Sequence, residues 1–139
     1  MYLDTSVVVK LYVAEPDSAE CEARLDGGGQ VSSDLLRLEF FSALLAKERD
    51  KEISATERGL IWDLFESHVQ ERRIELIPLD SEILRDALEL MARVHPEVPL
   101  RTLDAIHLAT FCSVSAGPLF TRDRRMNAAA RRLRLPVVE

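Results

Sequence analysis

Short apolar runs bounded by turn signals alternate along this chain with longer segments of helical periodicity, and this alternation restricts the fold more than any other feature. Residues 1–4 (MYLD) form a very short strand candidate, and Ser6–Val13 continues as an apolar helix up to the Glu15-Pro16 break. Asp17 to Asp26 fits a second short helix, stopped by Gly27-Gly28-Gly29. A strand is predicted at Gln30–Ser33, then helices from Leu35 to Arg49 and from Ala55 to about Arg73. Ile74–Leu79 reads as a strand and Ser81–Val94 as an amphipathic helix closed by His95-Pro96. Thr102 to about Ser115 is helix, Leu119–Thr121 strand, Arg124 to Leu133 helix, and Pro136–Val138 a last strand. Strands alternating with helices argue for an α/β fold on a parallel sheet. There is no internal repeat, low-complexity tract or linker, so 1–139 reads as one domain.

A chain of 139 residues, 47% hydrophobic and 30% charged, can build one core without staples. Cys21 and Cys112 fit no paired metal-binding spacing and read as reduced thiols, with a single disulfide as the alternative. The N-terminus lacks the form of a secretory signal, and no segment reaches the ~18 apolar residues of a membrane span. A cytoplasmic protein is the expectation. The net charge of −6 is unevenly spread: Arg122 to Arg134 carries six arginines and one aspartate. A basic segment on an acidic body suits a polyanionic partner, although a solvated helix face explains it too.

Four carboxylates call for explanation. Asp4 and Asp123 each follow a strand and precede a helix, where an N-cap is the ordinary role. Asp104 lies in the first turn of its helix, where the macrodipole favours negative charge. Glu39 is different. Its same-face neighbours are Leu35, Leu36, Ser42 and Ala43, so no local cation meets it. An ionised carboxylate on such a stripe needs a bound divalent cation or an arginine from elsewhere in the fold. In open parallel sheets ligands bind beyond the carboxyl ends of the strands, and Asp4 and Asp123 both occupy such ends. A carboxylate set suits Mg²⁺ or Mn²⁺, whereas His68, His95 and His107 are scattered and suggest no zinc site. His107, one turn after Asp104, reads as a packed or surface imidazole, at most supporting a ligand.

Four stretches give the chain a family likeness: YLDTSVVVKLYVAEP, LLRLEFFSAL, LRTLDAIHLATF and LFTRDRRMNAAARRLRLPVV. In order and spacing the chain resembles PIN-domain nucleases, specifically the VapC-type toxins of toxin–antitoxin pairs. The resemblance implies a three-layer α/β/α sandwich whose parallel sheet of about five strands runs 3-2-1-4-5, which would make Asp4 and Asp123 neighbours. It sets aside Asp80, which follows the edge strand, and Asp34, which fits a cap. It puts the acidic positions at Asp4, Glu39, Asp104 and Asp123, with hydroxyls at Thr5, Ser6 and Thr121 beside the metal.

The implied activity is hydrolysis of RNA phosphodiester bonds to a 3′-hydroxyl and a 5′-phosphate. Asp4 and Asp104 would be the principal Mg²⁺ ligands, with Mn²⁺ as a substitute. Asp123 would bind metal or order its waters, and Glu39 would complete the shell or accept a proton. Arg122, Arg124 and Arg125 are candidates for holding RNA phosphates at the rim. Arg131, Arg132 and Arg134 would serve solubility or a subunit contact. The resemblance also implies a homodimer and a protein antitoxin that plugs the pocket, with apolar surface on the first helices to receive it. Two rivals stand against this reading. A haloacid-dehalogenase-type phosphatase needs an Asp where Ser6 stands, and a receiver domain needs an acidic pair before its phosphorylated Asp, which is missing. An RNA- or partner-binding module would treat the carboxylates as caps and leave Glu39 unexplained.

Overall fold

The structure is a computed structural model that describes residues 1–25 and 27–138. Its order is β1 (Tyr2–Leu3), α1 (Thr5–Tyr12), α2 (Ser18–Ala23), β2 (Gln30–Ser33), α3 (Leu35–Arg49), α4 (Ala55–Gln70), β3 (Ile74–Ile77), α5 (Ser81–Val94), α6 (Thr102–Ser113), β4 (Leu119–Phe120) and α7 (Arg124–Arg132). The predicted end of the second helix at Asp26, and the last residue of the predicted domain, Glu139, lie outside the described residues.

The strands form one parallel sheet in the order β3-β2-β1-β4. Among the described residues the sheet has four strands, where about five were expected. The expected fifth is reduced to a parallel bridge between Leu119 and Val137. Leu119 N donates to Pro136 O at 2.9 Å and Val138 N to Leu119 O at 2.9 Å. Pro136 has no N–H to offer, so the ladder cannot extend through it. Pro78 acts similarly on β3, which stops at Ile77 rather than Leu79. The left-handed backbone of Arg72 (φ 57°) follows the end of α4, three residues short of the predicted Arg73.

Helices cover both faces of the sheet, and each face has its own core. Tyr2 and Leu119 enter one cluster with Leu90, Val94, Leu108 and Met126 from α5, α6 and α7. Their chain neighbours Leu3 and Phe120 enter the other with Val7, Phe40 and Phe65 from α1, α3 and α4. Side chains alternate across a strand, so two-residue strands suffice to serve two cores. Helix α5 buries Ile83, Ala87, Leu90 and Val94 along one stripe. Helix α6 is buried continuously from Ala105 to Phe111 and forms the spine of its layer.

Exposed leucines stand on α3 and α4 (Leu38, Leu45, Leu60, Leu64) and on α5 (Leu84, Leu88). On α1, Val7, Val8 and Val9 are buried. Cys21 is buried and Cys112 exposed, both free thiols. No helix among the described residues is long and apolar enough to cross a membrane.

Candidate active site

β1 and β4 run side by side, with Leu3 opposite Phe120, so the residues that follow them emerge together. Asp4 and Thr121 are those residues. Thr121 Oγ1 donates to Asp4 Oδ2 at 2.7 Å, and Ser6 Oγ donates to Asp4 Oδ1 at 2.7 Å. The same hydroxyls accept from the second loop, Ser6 Oγ from Arg122 N (2.8 Å) and Thr121 Oγ1 from Asp123 N (3.0 Å). The three hydroxyl positions thus include two that lace the loops together. Asp4 and Asp123 do cap their helices: Asp4 Oδ1 accepts from Val7 N, and Asp123 Oδ1 accepts from Arg125 N and Met126 N.

Asp4 is only 4% exposed, and burial raises its pKa against the lowering pull of Ser6 and Thr121. Asp104, in the first turn of α6, is half-buried, and its Oδ2 is a buried acceptor without a hydrogen-bond partner. Its pKa is also raised, first by burial and then by the Asp123 charge, with a smaller push from Glu39. Asp104, Asp123 and Glu39 therefore share one electrostatic neighbourhood. Burial is the larger cause, and repulsion among the acids comes after it.

Glu39 has a partner that its sequence neighbourhood did not reveal. His107 Nε2 lies 2.7 Å from Glu39 Oε2, and the Thr5 hydroxyl donates to the same oxygen. Burial alone would raise the Glu39 pKa, but His107 and Thr5 outweigh it and hold the carboxyl below its usual value. The inference that only a cation or an arginine could meet Glu39 is corrected accordingly. His107 is neither on the surface nor merely packed: it is 2% exposed and also bonds the Tyr2 hydroxyl through Nδ1 (2.9 Å). Sequence reasoning passed over it because its partners lie 68 and 105 positions away. Its place one turn after Asp104 was the only available signal.

The acidic residues set aside behave as local capping rules suggest in one case only. Asp80 caps α5 through Glu82 N and Ile83 N (both 2.9 Å). Asp34 makes no side-chain cap and pairs instead with Arg37 Nε at 3.2 Å. Ser33 Oγ accepts from Leu35 N in its place.

A cleft of about 680 Å³ opens beside the carboxylates, lined by Thr5, Ser6, Lys10, Glu15, Arg122 and Asp123 among others. Arg122 does reach this rim, but its Nη2 lies 2.9 Å from Glu20 Oε1 on α2. Its Nε, 3.3 Å from Asp17 Oδ2, is an ion-pair contact without hydrogen-bond geometry. Arg124 is exposed and Arg125 half-buried at the start of α7. Among the described residues, no three His, Cys, Asp or Glu side chains already converge into a metal cage. The donor set nonetheless fits a hard cation. It is made of oxygens, includes the orphaned Asp104 Oδ2, and suits an ion that keeps several waters.

The comparisons with known proteins bear on this arrangement. The PIN domain family model matches residues 1–132. Ribonuclease VapC46 of Mycobacterium tuberculosis is 38% identical, covering 99% of this chain and 95% of its own length. The crystal structure of VapC20 from Mycobacterium tuberculosis, described as a sarcin–ricin loop cleaving toxin, superposes with a TM-score of 0.69 at 14% identity. That match covers 92% of this chain and 93% of the other. A chain of a toxin–antitoxin complex from Klebsiella pneumoniae has a TM-score of 0.64 at 16% identity, covering 99% and 95%. With a parallel 3-2-1-4 sheet, carboxylates gathered past its strand ends and a full-length relative above, the chain belongs to the PIN-domain family, in its VapC branch.

Proposed function

We propose that residues 1–139 form a single PIN domain acting as a metal-dependent endoribonuclease, the toxin of a toxin–antitoxin pair. Asp4, Asp104, Asp123 and Glu39 would hold Mg²⁺, or Mn²⁺ in its place. The observation that carries this reading is Asp104: a raised carboxylate with a buried, unpartnered oxygen, beside Asp123 and Glu39. Arg101 offsets part of this charge, but nothing in the described fold meets the buried Oδ2, which a cation would. The rival reading, in which the acids are only caps, accounts for Asp4 and Asp123 but not for Asp104 Oδ2.

When bound, the divalent ion lowers the pKa of a water and neutralises charge growing on the phosphate. The chain's own residues do the rest. Thr121 and Ser6 fix both oxygens of Asp4, so that its carboxylate cannot rotate away. Asp123 is fixed through Oδ1 by two backbone N–H groups of α7. Glu39, held below its usual pKa, stays ionised and can accept a proton from an attacking water. Arg124 and Arg125 would steady RNA phosphates, while Arg122 must first leave the α2 carboxylates.

Relatives named as a ribonuclease and as part of a toxin–antitoxin complex support RNA as substrate and a protein antitoxin as partner. A cytoplasmic homodimer completes the reading, and light scattering on the free chain checks the dimer. The central test uses chain freed of any partner, with structured RNA and increasing Mg²⁺ or Mn²⁺. Cleavage should require the metal and vanish in Asp4→Asn and Asp104→Asn while both variants stay folded. Equal cleavage by the wild type and both variants would sink the assignment.

A further inference from the structure

Two buried polar side chains take no part in the chemistry above, yet they end on it. Tyr2 is fully buried in the layer of α5–α7, with its ring edge-on to Phe111 at 5.6 Å. Its hydroxyl meets His107 Nδ1 at 2.9 Å, and the opposite nitrogen of that imidazole meets Glu39 Oε2 at 2.7 Å. Donor directions follow from the groups. An ionised carboxylate only accepts, so His107 Nε2 carries the proton of that bond. Nδ1 can then accept from the Tyr2 O–H.

Thr5 donates to the same Glu39 oxygen, and Thr5 Oγ1 also lies 3.3 Å from His107 Nε2. Both protein donors to Glu39 thus fall on Oε2, and neither falls on Oε1. A core histidine that merely fills space needs volume and any convenient partners. This one connects the centre of the sheet to one chosen oxygen of a site carboxylate.

We infer that His107, braced by Tyr2, is a positioning residue that locks Glu39 by Oε2 and leaves Oε1 to the divalent cation or its water. The inference rests on the cation-site reading of the previous subsection and adds two residues to it. Outer partners of this kind orient ligands and are commonly worth about 10–100-fold in metal affinity.

Mn²⁺ binding to the full chain, followed by titration calorimetry without RNA, tests the idea apart from catalysis. His107→Leu should weaken Mn²⁺ binding by about tenfold or more. His107→Gln, whose amide N–H can replace Nε2–H, should regain most of that loss. Tyr2→Phe, which removes a single oxygen, should weaken binding by a smaller factor. In cleavage assays the same variants should lower kcat while KM for RNA stays unchanged. Wild-type Mn²⁺ affinity in folded His107→Leu overturns the proposal, and so does a Gln variant as weak as the Leu variant. If His107→Leu does not fold, wild-type affinity in Tyr2→Phe overturns it. Asp104→Asn separates the two levels. If it binds Mn²⁺ like the wild type, the cation-site reading itself falls; if it loses binding while Glu39→Gln keeps wild-type affinity, Glu39 is no ligand and only this inference falls.

Discussion

Two groups of acidic residues, one about α1 and α2 and one past the strand ends, are treated in opposite ways. On the α1–α2 side Glu15, Asp17 and Glu20 are each matched with a cation. Lys10 pairs with Glu15 and with Asp17 (2.7 Å), Lys47 with Glu15 (2.8 Å) and Glu52 (2.9 Å), and Arg122 with Glu20 (2.9 Å). Past the strand ends and at the start of α6, Asp4, Asp123 and Asp104 have only hydroxyl or backbone donors, and no lysine or arginine bridges them among the described residues. The outcome is visible in the pKa directions. Burial raises Glu15, but Lys10 and Lys47 more than reverse it, whereas burial keeps Asp4 and Asp104 raised. The cations on this surface bridge the more exposed acids and none bridges the buried ones, the pattern that the proposed cation site requires.

Asp4→Ala should show the largest effect. It deletes a cap and strands the Thr121 and Ser6 hydroxyls, at a cost of roughly 3 kcal/mol in urea unfolding. Asp104→Ala should cost the apo protein far less, since that carboxylate has one unpartnered oxygen and only Arg101 to favour its charge. Equal losses in the two variants would mean that Asp104 has a structural partner after all. Next in size is the metal. At a hundred times its dissociation constant, Mn²⁺ should stabilise the wild type by about 2.7 kcal/mol. Thermal unfolding should show no such gain in Asp104→Asn.

The two groups should also answer pH with opposite signs. Asp4 and Asp104 have folded pKa values above their unfolded ones. Their contribution is fully present below the unfolded value and is lost as pH rises through the folded value. Glu15 has a folded pKa below its unfolded one, so its contribution exists above the unfolded value and is lost as pH falls through the folded value. The metal-free chain should therefore lose stability as pH rises above the ordinary aspartate value, with Glu15 opposing that trend at the acid end. Asp104→Asn should flatten that slope. Lys47→Met should give the smallest effect, about 0.5 kcal/mol or less once salt screens the pairs. Unfolding at low and high ionic strength measures it.

Much of this was legible in the chain itself. The caps at Asp4, Asp80 and Asp123 follow from acids standing between a strand and a helix, a local rule that the structure keeps. Asp34 obeyed the same spacing and failed it, because Ser33 supplies the acceptor and Arg37 takes the carboxylate. The fifth strand failed at Pro136, where propensity for extension exceeded the capacity to hydrogen-bond. Arg122 was placed correctly at the rim, but nothing near it in sequence revealed that Glu20 would claim it.

The division between the two sources is physical. Periodicity, turn residues and the acid after each strand are local, so the sequence alone determined an α/β sheet with carboxylates at its strand ends. Which charges meet was decided by the tertiary structure, because the partners are far apart in the chain. Glu39 and His107 are separated by 68 residues, and Tyr2 and His107 by 105. The packing of α6 on the sheet, where Tyr2 of β1 and Leu35 of α3 share its core, brings them within hydrogen-bond reach. The same packing leaves Asp104 Oδ2 without a partner, an absence that no reading of neighbours along the chain could detect.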